Sequence, residues 1–222
     1  MDTATHTAVL VGATGLVGRE ILQLLLADPR FGAVTVLARR STGVAHDKLR
    51  EHVIDFDRPD TWASRVRGDV LFSALGTTIK AAGSREAQYR VDHTYPLRVA
   101  QAARENGVGA CVLVSSTGAS PRSRVFYSRM KGELERDIAA LEFPRTRLLR
   151  PGLLDGQRSE YRPGEVWALR LLRPLAGILP AAARPIHATI VARAAIAAAL
   201  DPTPGVLRLE AADLFRLGAA PG

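Results

Sequence analysis

At 222 residues, with 47% apolar and 23% charged side chains, the chain has the size and composition of a soluble globular protein with a full core. Its one cysteine excludes a disulfide framework or a cysteine metal cluster, and its five histidines show no ligand-like spacing. The formal net charge of +8 comes from dispersed arginines, twenty-seven against three lysines, with no basic run interleaved with stacking aromatics, so specific nucleic-acid binding is not expected.

The N-terminus, Met1 to Thr7, is polar and lacks the apolar h-region of a secretory signal. Arg170, Arg173, Arg184 and Arg193 interrupt the longest apolar windows, so no transmembrane segment is expected and the cytoplasm is the expected compartment.

In chain order, Ala8-Val9-Leu10-Val11 reads as a buried strand that runs into Gly12, and Leu16 to Leu26 repeats apolar residues at helical spacing. Between them lies Gly12-Ala13-Thr14-Gly15-Leu16-Val17-Gly18. At a strand–helix junction, Gly12 allows a tight turn, Gly15 lets a pyrophosphate approach the backbone, and Gly18 lets the helix pack on the strand. The helix N-terminus then offers unpaired N–H groups to phosphates. A dinucleotide cofactor is therefore expected.

Ala33 to Ala38 is the second strand. An acidic residue at its end would bind the ribose 2′-hydroxyl of NAD, but the sequence there is Arg39-Arg40-Ser41. Guanidinium groups suit a 2′-phosphate, so NADP(H) is expected in preference to NAD(H). Val53-Ile54 ends a third strand before Asp55, which can accept a bond from an adenine amino group or serve as a turn residue. The fourth strand, Asp69 to Ala74, leads into Leu75-Gly76-Thr77-Thr78, whose backbone and hydroxyls can face the nicotinamide half.

A helix from about Tyr95 to Asn106 precedes the strand Ala110 to Val114, in which Cys111 reads as buried. Ser115 and Ser116 end that strand, and a helix from Tyr127 runs to about Leu141. Lys131 lies four residues after Tyr127, so ammonium and phenol share one helix face. A free phenol ionises near pH ~10, and a neighbouring cation favours its ionised form, which is the tuning a proton-exchanging tyrosine needs. Thr146 to Leu149 is a further strand, stopped by Pro151-Gly152.

Beyond Gly152 the rhythm changes. Val166 to Leu179 reads as an amphipathic helix, Ile190 to Leu200 as another, and Val206 to Leu209 as a last strand. Apolar strands alternating with helices predict an α/β fold, a Rossmann-type doubly wound parallel sheet with helices on both faces. A single domain over residues 1–222 is expected, with 153–200 contributing a small substrate-side cap that includes His187.

The motifs G-A-T-G-L-V-G, L-G-T-T, V-S-S-T-G-A-S, Y-S-R-M-K-G-E and L-R-P-G together resemble the short-chain dehydrogenase/reductase superfamily. More narrowly, Arg39-Arg40, Leu75-Gly-Thr-Thr, Leu149-Arg-Pro-Gly-Leu-Leu-Asp and the later Arg162-Pro-Gly-Glu are similar to its atypical branch of viral-Tat-interacting reductase-like NADPH-binding proteins. The resemblance implies hydride transfer to or from a small carbonyl or alcohol substrate. Tyr127 would be the general acid/base, Lys131 its electrostatic partner and ribose ligand, and Ser116 the hydrogen-bond donor to the substrate oxygen, with Ser115 as fallback.

Cofactor contacts are implied for Gly12, Thr14, Gly15, Leu16, Val17, Gly18, Arg39, Arg40, Asp55, Phe56, Leu75, Gly76, Thr77, Thr78, Tyr127, Lys131, Pro151 and Leu154. One departure is that the asparagine many superfamily members carry before the serine strand is replaced around Val91-Asp92, where Asp92 can do similar backbone-linked work. The alternatives are an NADPH-binding sensor or partner-binding protein with little turnover, its contact being the basic helix around Trp167 to Leu179, and a nucleotide-sugar epimerase or dehydratase. The missing acid after the second strand and the short C-terminal region weigh against the last.

Overall fold

A computed structural model of the chain describes residues 5–155 and 184–219. The expected helix at Val166 to Leu179, the Arg162-Pro-Gly-Glu motif and most of the expected cap lie outside the described residues.

Strand β1 (His6–Val11) is followed by α1 (Leu16–Ala27), β2 (Phe31–Ala38) and β3 (Leu49–Val53). Two short 3₁₀ turns, Pro59–Thr61 and Ala63–Arg65, lead to β4 (Val70–Ser73). The next stretch runs through α2 (Ile79–Ala82), α3 (Arg85–Tyr89), a π-turn at Arg90–Thr94 and α4 (Tyr95–Glu105). Then come β5 (Ala110–Val114), α5 (Phe126–Ala139), β6 (Arg145–Arg150) and β7 (Leu154–Asp155). The described C-terminal part holds β8 (Ile186–His187), α6 (Ala188–Leu200), β9 (Gly205–Glu210) and α7 (Ala211–Gly218).

Seven strands form one parallel sheet in the order β3-β2-β1-β4-β5-β6-β9, while β7 and β8 pair separately. Alternation along β1 explains why both faces need cover. Ala8 and Leu10 enter the layer shared with Ile21, Leu22 and Leu25 of α1 and with Val191 and Ala195 of α6. Val9 and Val11 enter the opposite layer with Trp62, Val99 of α4, and Leu134 and Ile138 of α5. Fully burying each leucine or isoleucine of these faces contributes about 1.5–3 kcal/mol, which is what fixes the helices to the sheet. The doubly wound fold expected from the sequence is the observed one.

Two local features have sequence causes. Pro96 has no N–H to return to the carbonyl of Asp92, so the α-helical ladder cannot continue through that turn. The Tyr95 N–H instead reaches the Arg90 carbonyl, a π-type bond, and the helix bulges there. His187 caps α6: its ring Nδ1 accepts the Thr189 N–H at 3.3 Å, and the Thr189 hydroxyl donates to Glu20 Oε2 of α1 at 2.6 Å.

Candidate functional site

Strand order reverses at β1, which has β2 on one side and β4 on the other. In open parallel sheets the crevice beyond the carboxyl ends of such strands is where ligands bind. The expected glycine loop, Arg39-Arg40, Asp55, Leu75–Thr78, Ser116 and Pro151 all follow the carboxyl ends of β1 to β6 in turn.

The glycine loop satisfies the steric test for a dinucleotide. Gly12 has φ +86°, and a Cβ there would lie 2.4 Å from the Ala74 carbonyl carbon. At Gly18 a Cβ would lie 2.1 Å from the Gly12 carbonyl oxygen, so any side chain would push α1 off the loop. Gly15 is exposed and caps α1 without a side-chain bond, and the first turn of α1 carries no acidic residue. The helix start is therefore open and electropositive, as a pyrophosphate requires.

Arg39 and Arg40 are exposed beyond β2. Their loop is held by Glu51 of β3, which accepts the Ser41 hydroxyl at 2.5 Å and the Thr42 N–H at 2.7 Å. Burial pushes the Glu51 carboxyl up, but these bonds from Ser41 and Thr42 outweigh it and hold it below the ordinary carboxylate range. Asp55 spends one carboxylate oxygen on the Asp57 N–H at 2.9 Å, the turn role the sequence left open. The Phe56 ring is buried between Trp62 and Tyr95, stacked on the latter at 5.2 Å, so only its backbone is available to a cofactor.

The loop after β4 is tied to α5 through Asp92, at the π-bulge. Asp92 Oδ1 accepts the Thr77 N–H at 2.6 Å, and Oδ2 lies 3.9 Å from Lys131 Nζ. Both side chains are almost fully buried, 1% and 4% exposed. A buried ion pair contributes little to stability but is costly to break on one side. Lys131 is thus linked through Asp92 to the loop after β4, and Tyr127 shares its face of α5 one turn earlier. Asp92 makes a backbone link to the loop and supplies a charge partner for the lysine.

The two serines after β5 separate cleanly. Ser115 is buried and donates to Glu135 Oε1 at 2.5 Å. Glu135 is in turn paired with Arg150 at 2.5 Å, and Arg150 continues to Glu210 at 2.9 Å. The hydrogen bonds that Arg150 donates to Glu135 raise its guanidinium further above its ordinary value. Ser116 is half-buried and makes one long contact, 3.3 Å, to the Thr117 carbonyl. It is the serine left available at the crevice. Gly132 brings it close to α5: a Cβ there would lie 2.2 Å from the Ser120 carbonyl carbon, and the Ser120 N–H donates to the Ser128 carbonyl at 3.0 Å. Pro151 is buried and accepts the Thr117 N–H at 2.9 Å, while Leu154 is half-buried in β7.

Beside Tyr127 opens a cleft of about 550 Å³ that the sequence reading did not anticipate. Thr78, Ile79, Arg85 and Gln88 form one wall, and Arg124, Val125 and Phe126 form the other. Exposed valine and isoleucine next to arginines carry no periodic signal in the sequence, because they become neighbours only when the loop before α5 meets α3.

The comparisons agree with this fold. A family model described as NAD(P)H-binding matches residues 12–165. The chain is 39% identical over 221 residues to "Protein fmp52, mitochondrial" of Aspergillus fumigatus, covering 95% of this chain and 94% of that protein. It is 44% identical over 159 residues to "Protein FMP52, mitochondrial" of Eremothecium gossypii, covering 71% and 70%. Among solved structures, MoeE5 in complex with UDP-glucose and NAD superposes with a TM-score of 0.69 at 20% identity, over 92% of this chain and 75% of that one. A short chain dehydrogenase family protein from Francisella tularensis gives 0.67 at 14% identity, over 95% and 99%. At such identities the structural likeness speaks to the fold alone. The cytoplasmic compartment expected from the polar N-terminus is corrected by these relatives, which are named as mitochondrial. The missing h-region bears on secretion, and import into an organelle does not depend on one.

Proposed function

From the premise that this chain belongs to the NAD(P)H-binding family, with a Rossmann fold of the short-chain dehydrogenase type, we propose that it is an NADP(H)-dependent oxidoreductase acting on a small carbonyl or alcohol. The observation that carries this reading is Lys131. It is one of three lysines in an arginine-rich chain, and it is buried at the mouth of the crevice against Asp92, one helical turn from Tyr127. A buried ammonium–carboxylate pair gains little net stability, which favours a functional role for this one.

The nicotinamide cofactor, when bound, supplies or accepts the hydride. The glycine loop and the start of α1 hold the pyrophosphate, and Arg39 and Arg40 pair with a 2′-phosphate. Lys131 binds the ribose and lends positive charge beside the phenol. Tyr127 exchanges a proton with the substrate oxygen, and Ser116 donates a hydrogen bond to the same oxygen. Asp92 fixes Lys131 and the Thr77 backbone in one geometry.

The test is consumption of NADPH by the full chain against aldehydes, ketones and quinones, run beside a binding titration. Turnover of at least one class, with NADPH bound more tightly than NADH, is the expected result. Tight binding with no turnover across the panel would replace this reading with that of a cofactor sensor. The names of the relatives support a mitochondrial compartment for this chain as well, and organelle fractionation of the tagged full chain tests it.

A further inference from the structure

The cleft beside Tyr127 has a chemical character of its own. Among the described residues its two charged lining residues, Arg85 and Arg124, are both cationic, and no carboxylate lines it. Among the described residues neither guanidinium forms a salt bridge with a carboxylate. The carboxyl of Glu86, next to Arg85 in the chain, is held below the ordinary range first by its own backbone and by Ser84, with a smaller contribution from the Arg85 charge. Arg85 lies over the Phe126 ring, 5.6 Å from its centroid, a contact that holds the guanidinium at the cleft while leaving its N–H groups available.

Around the two cations the walls are apolar. Ile79 is 45% and Val125 63% exposed, high values for side chains that ordinarily bury. Gln88 supplies an independent sign of a guest. It is 3% exposed, its Nε2 donates to the Thr77 carbonyl at 3.2 Å, and its Oε1 is buried without a partner. A buried orphan acceptor costs on the order of 1–3 kcal/mol. A donor from a bound molecule, such as the hydroxyl of an alcohol, would remove that cost.

We propose that this cleft selects an amphipathic acid: an oxo acid or hydroxy acid whose carboxylate is held by Arg85 and Arg124, whose hydrocarbon chain lies on Ile79, Val125 and Phe126, and whose oxygen function reaches Tyr127. The proposal rests on the oxidoreductase reading for the last of these contacts and on the cleft alone for the first two. Paired guanidiniums discriminate strongly for a carboxylate because their bonds to it are charge-assisted.

The test compares ω-oxo carboxylates of increasing chain length with their methyl esters, using NADPH and the full chain. The acids should exceed the esters by about tenfold or more in kcat/KM. Arg85→Gln and Arg124→Gln should each raise KM for the acid about tenfold while leaving the esters and NADPH affinity unchanged. Equal handling of acid and ester, or variants that weaken both alike, would overturn the proposal and leave the oxidoreductase reading standing. If nothing turns over, titration of the NADPH-loaded chain with octanoate and methyl octanoate decides. Saturable binding of the acid that the arginine variants abolish upholds the cleft and removes the enzyme reading; no preference for the acid removes the cleft.

Discussion

At the scale of single residues, chemistry and scaffolding lie side by side and separate by substitution. Tyr127→Phe should keep NADPH affinity and lower turnover by about 10²–10⁴, the usual worth of general acid–base assistance, as single-turnover kinetics on an identified substrate would show. Unchanged turnover would remove the phenol from the mechanism. Ser115 and Ser116 make a sharper pair. Ser115→Ala deletes a buried bond to Glu135, a loss of about 1.5–3 kcal/mol that should lower Tm by roughly 5 °C with little change in kcat. Ser116→Ala should do the reverse, sparing Tm and lowering kcat. The family resemblance put Ser116 first and Ser115 as fallback, but the residues alone show only two adjacent serines at a strand end. What distinguishes them is Glu135 and Arg150, 20 and 35 positions away along the chain, and only folding makes them neighbours. Arg147 was equally illegible. It lay within an expected strand with nothing to mark its partners; it is 1% exposed and gives its guanidinium N–H groups to the carbonyls of Ala198, Asp201, Thr203 and Gly205, among others. Cys111, by contrast, lay in an apolar strand and is buried as expected; burial pushes its thiol up to about 12, so it should resist alkylating reagents in the native protein.

Among elements, the strands were the readable part, because a sheet covered on both faces needs unbroken apolar runs and β5 shows one from Ala110 to Val114. Helices were readable where they carry an apolar stripe, as α1 does. The polar run Arg85–Arg90 has none, and the periodic signal begins only at about Tyr95. The signal of the π-bulge is Pro96, four residues after Asp92, and it tells of an interrupted ladder without saying which carboxylate the interruption presents. The short α7 follows β9 without an intervening turn and was likewise not anticipated. One glycine governs how α5 meets the serine loop. Gly132→Ala would drive a methyl into the Ser120–Pro121 backbone, at a cost of about 1–3 kcal/mol if the loop shifts to accommodate it. Because that loop carries Ser116 and the glycine loop is remote from it, kcat should fall more than NADPH affinity, a split that steady-state kinetics with a cofactor titration would resolve.

For the whole molecule, pH dependence follows from carboxylates held below their ordinary range. Asp28 is held down chiefly by its hydrogen bond from Arg30. For Asp137, as for Glu51, burial pushes up, but bonds from Arg136 and His93 prevail. Each has a lower pKa folded than unfolded, so the unfolded chain binds more protons in acid, and the stability these groups contribute is present above about pH 4–4.5 and lost as pH falls below it. Tm should decline slightly below about pH 6.5, where burial and the Arg65 charge hold the His52 imidazole below its ordinary value, and more steeply below about pH 4.5; Glu51→Gln should soften the lower decline, and a Tm that fell equally in the variant would show that Glu51 takes no part. The join between α1 and α6 has a different consequence, one of timing. Glu20 and Thr189 meet across 169 positions of chain, and the apolar face of the helix that opens at the glycine loop is covered by Val191 and Ala195. At ~5–20 residues per second, the ribosome delivers that cover about ten to thirty seconds after α1 emerges. The part of the molecule built to receive a nucleotide is thus the first synthesised and among the last sealed, and a nascent chain carries its nucleotide-binding loop on a half-covered helix that chaperones can recognise until the end of translation.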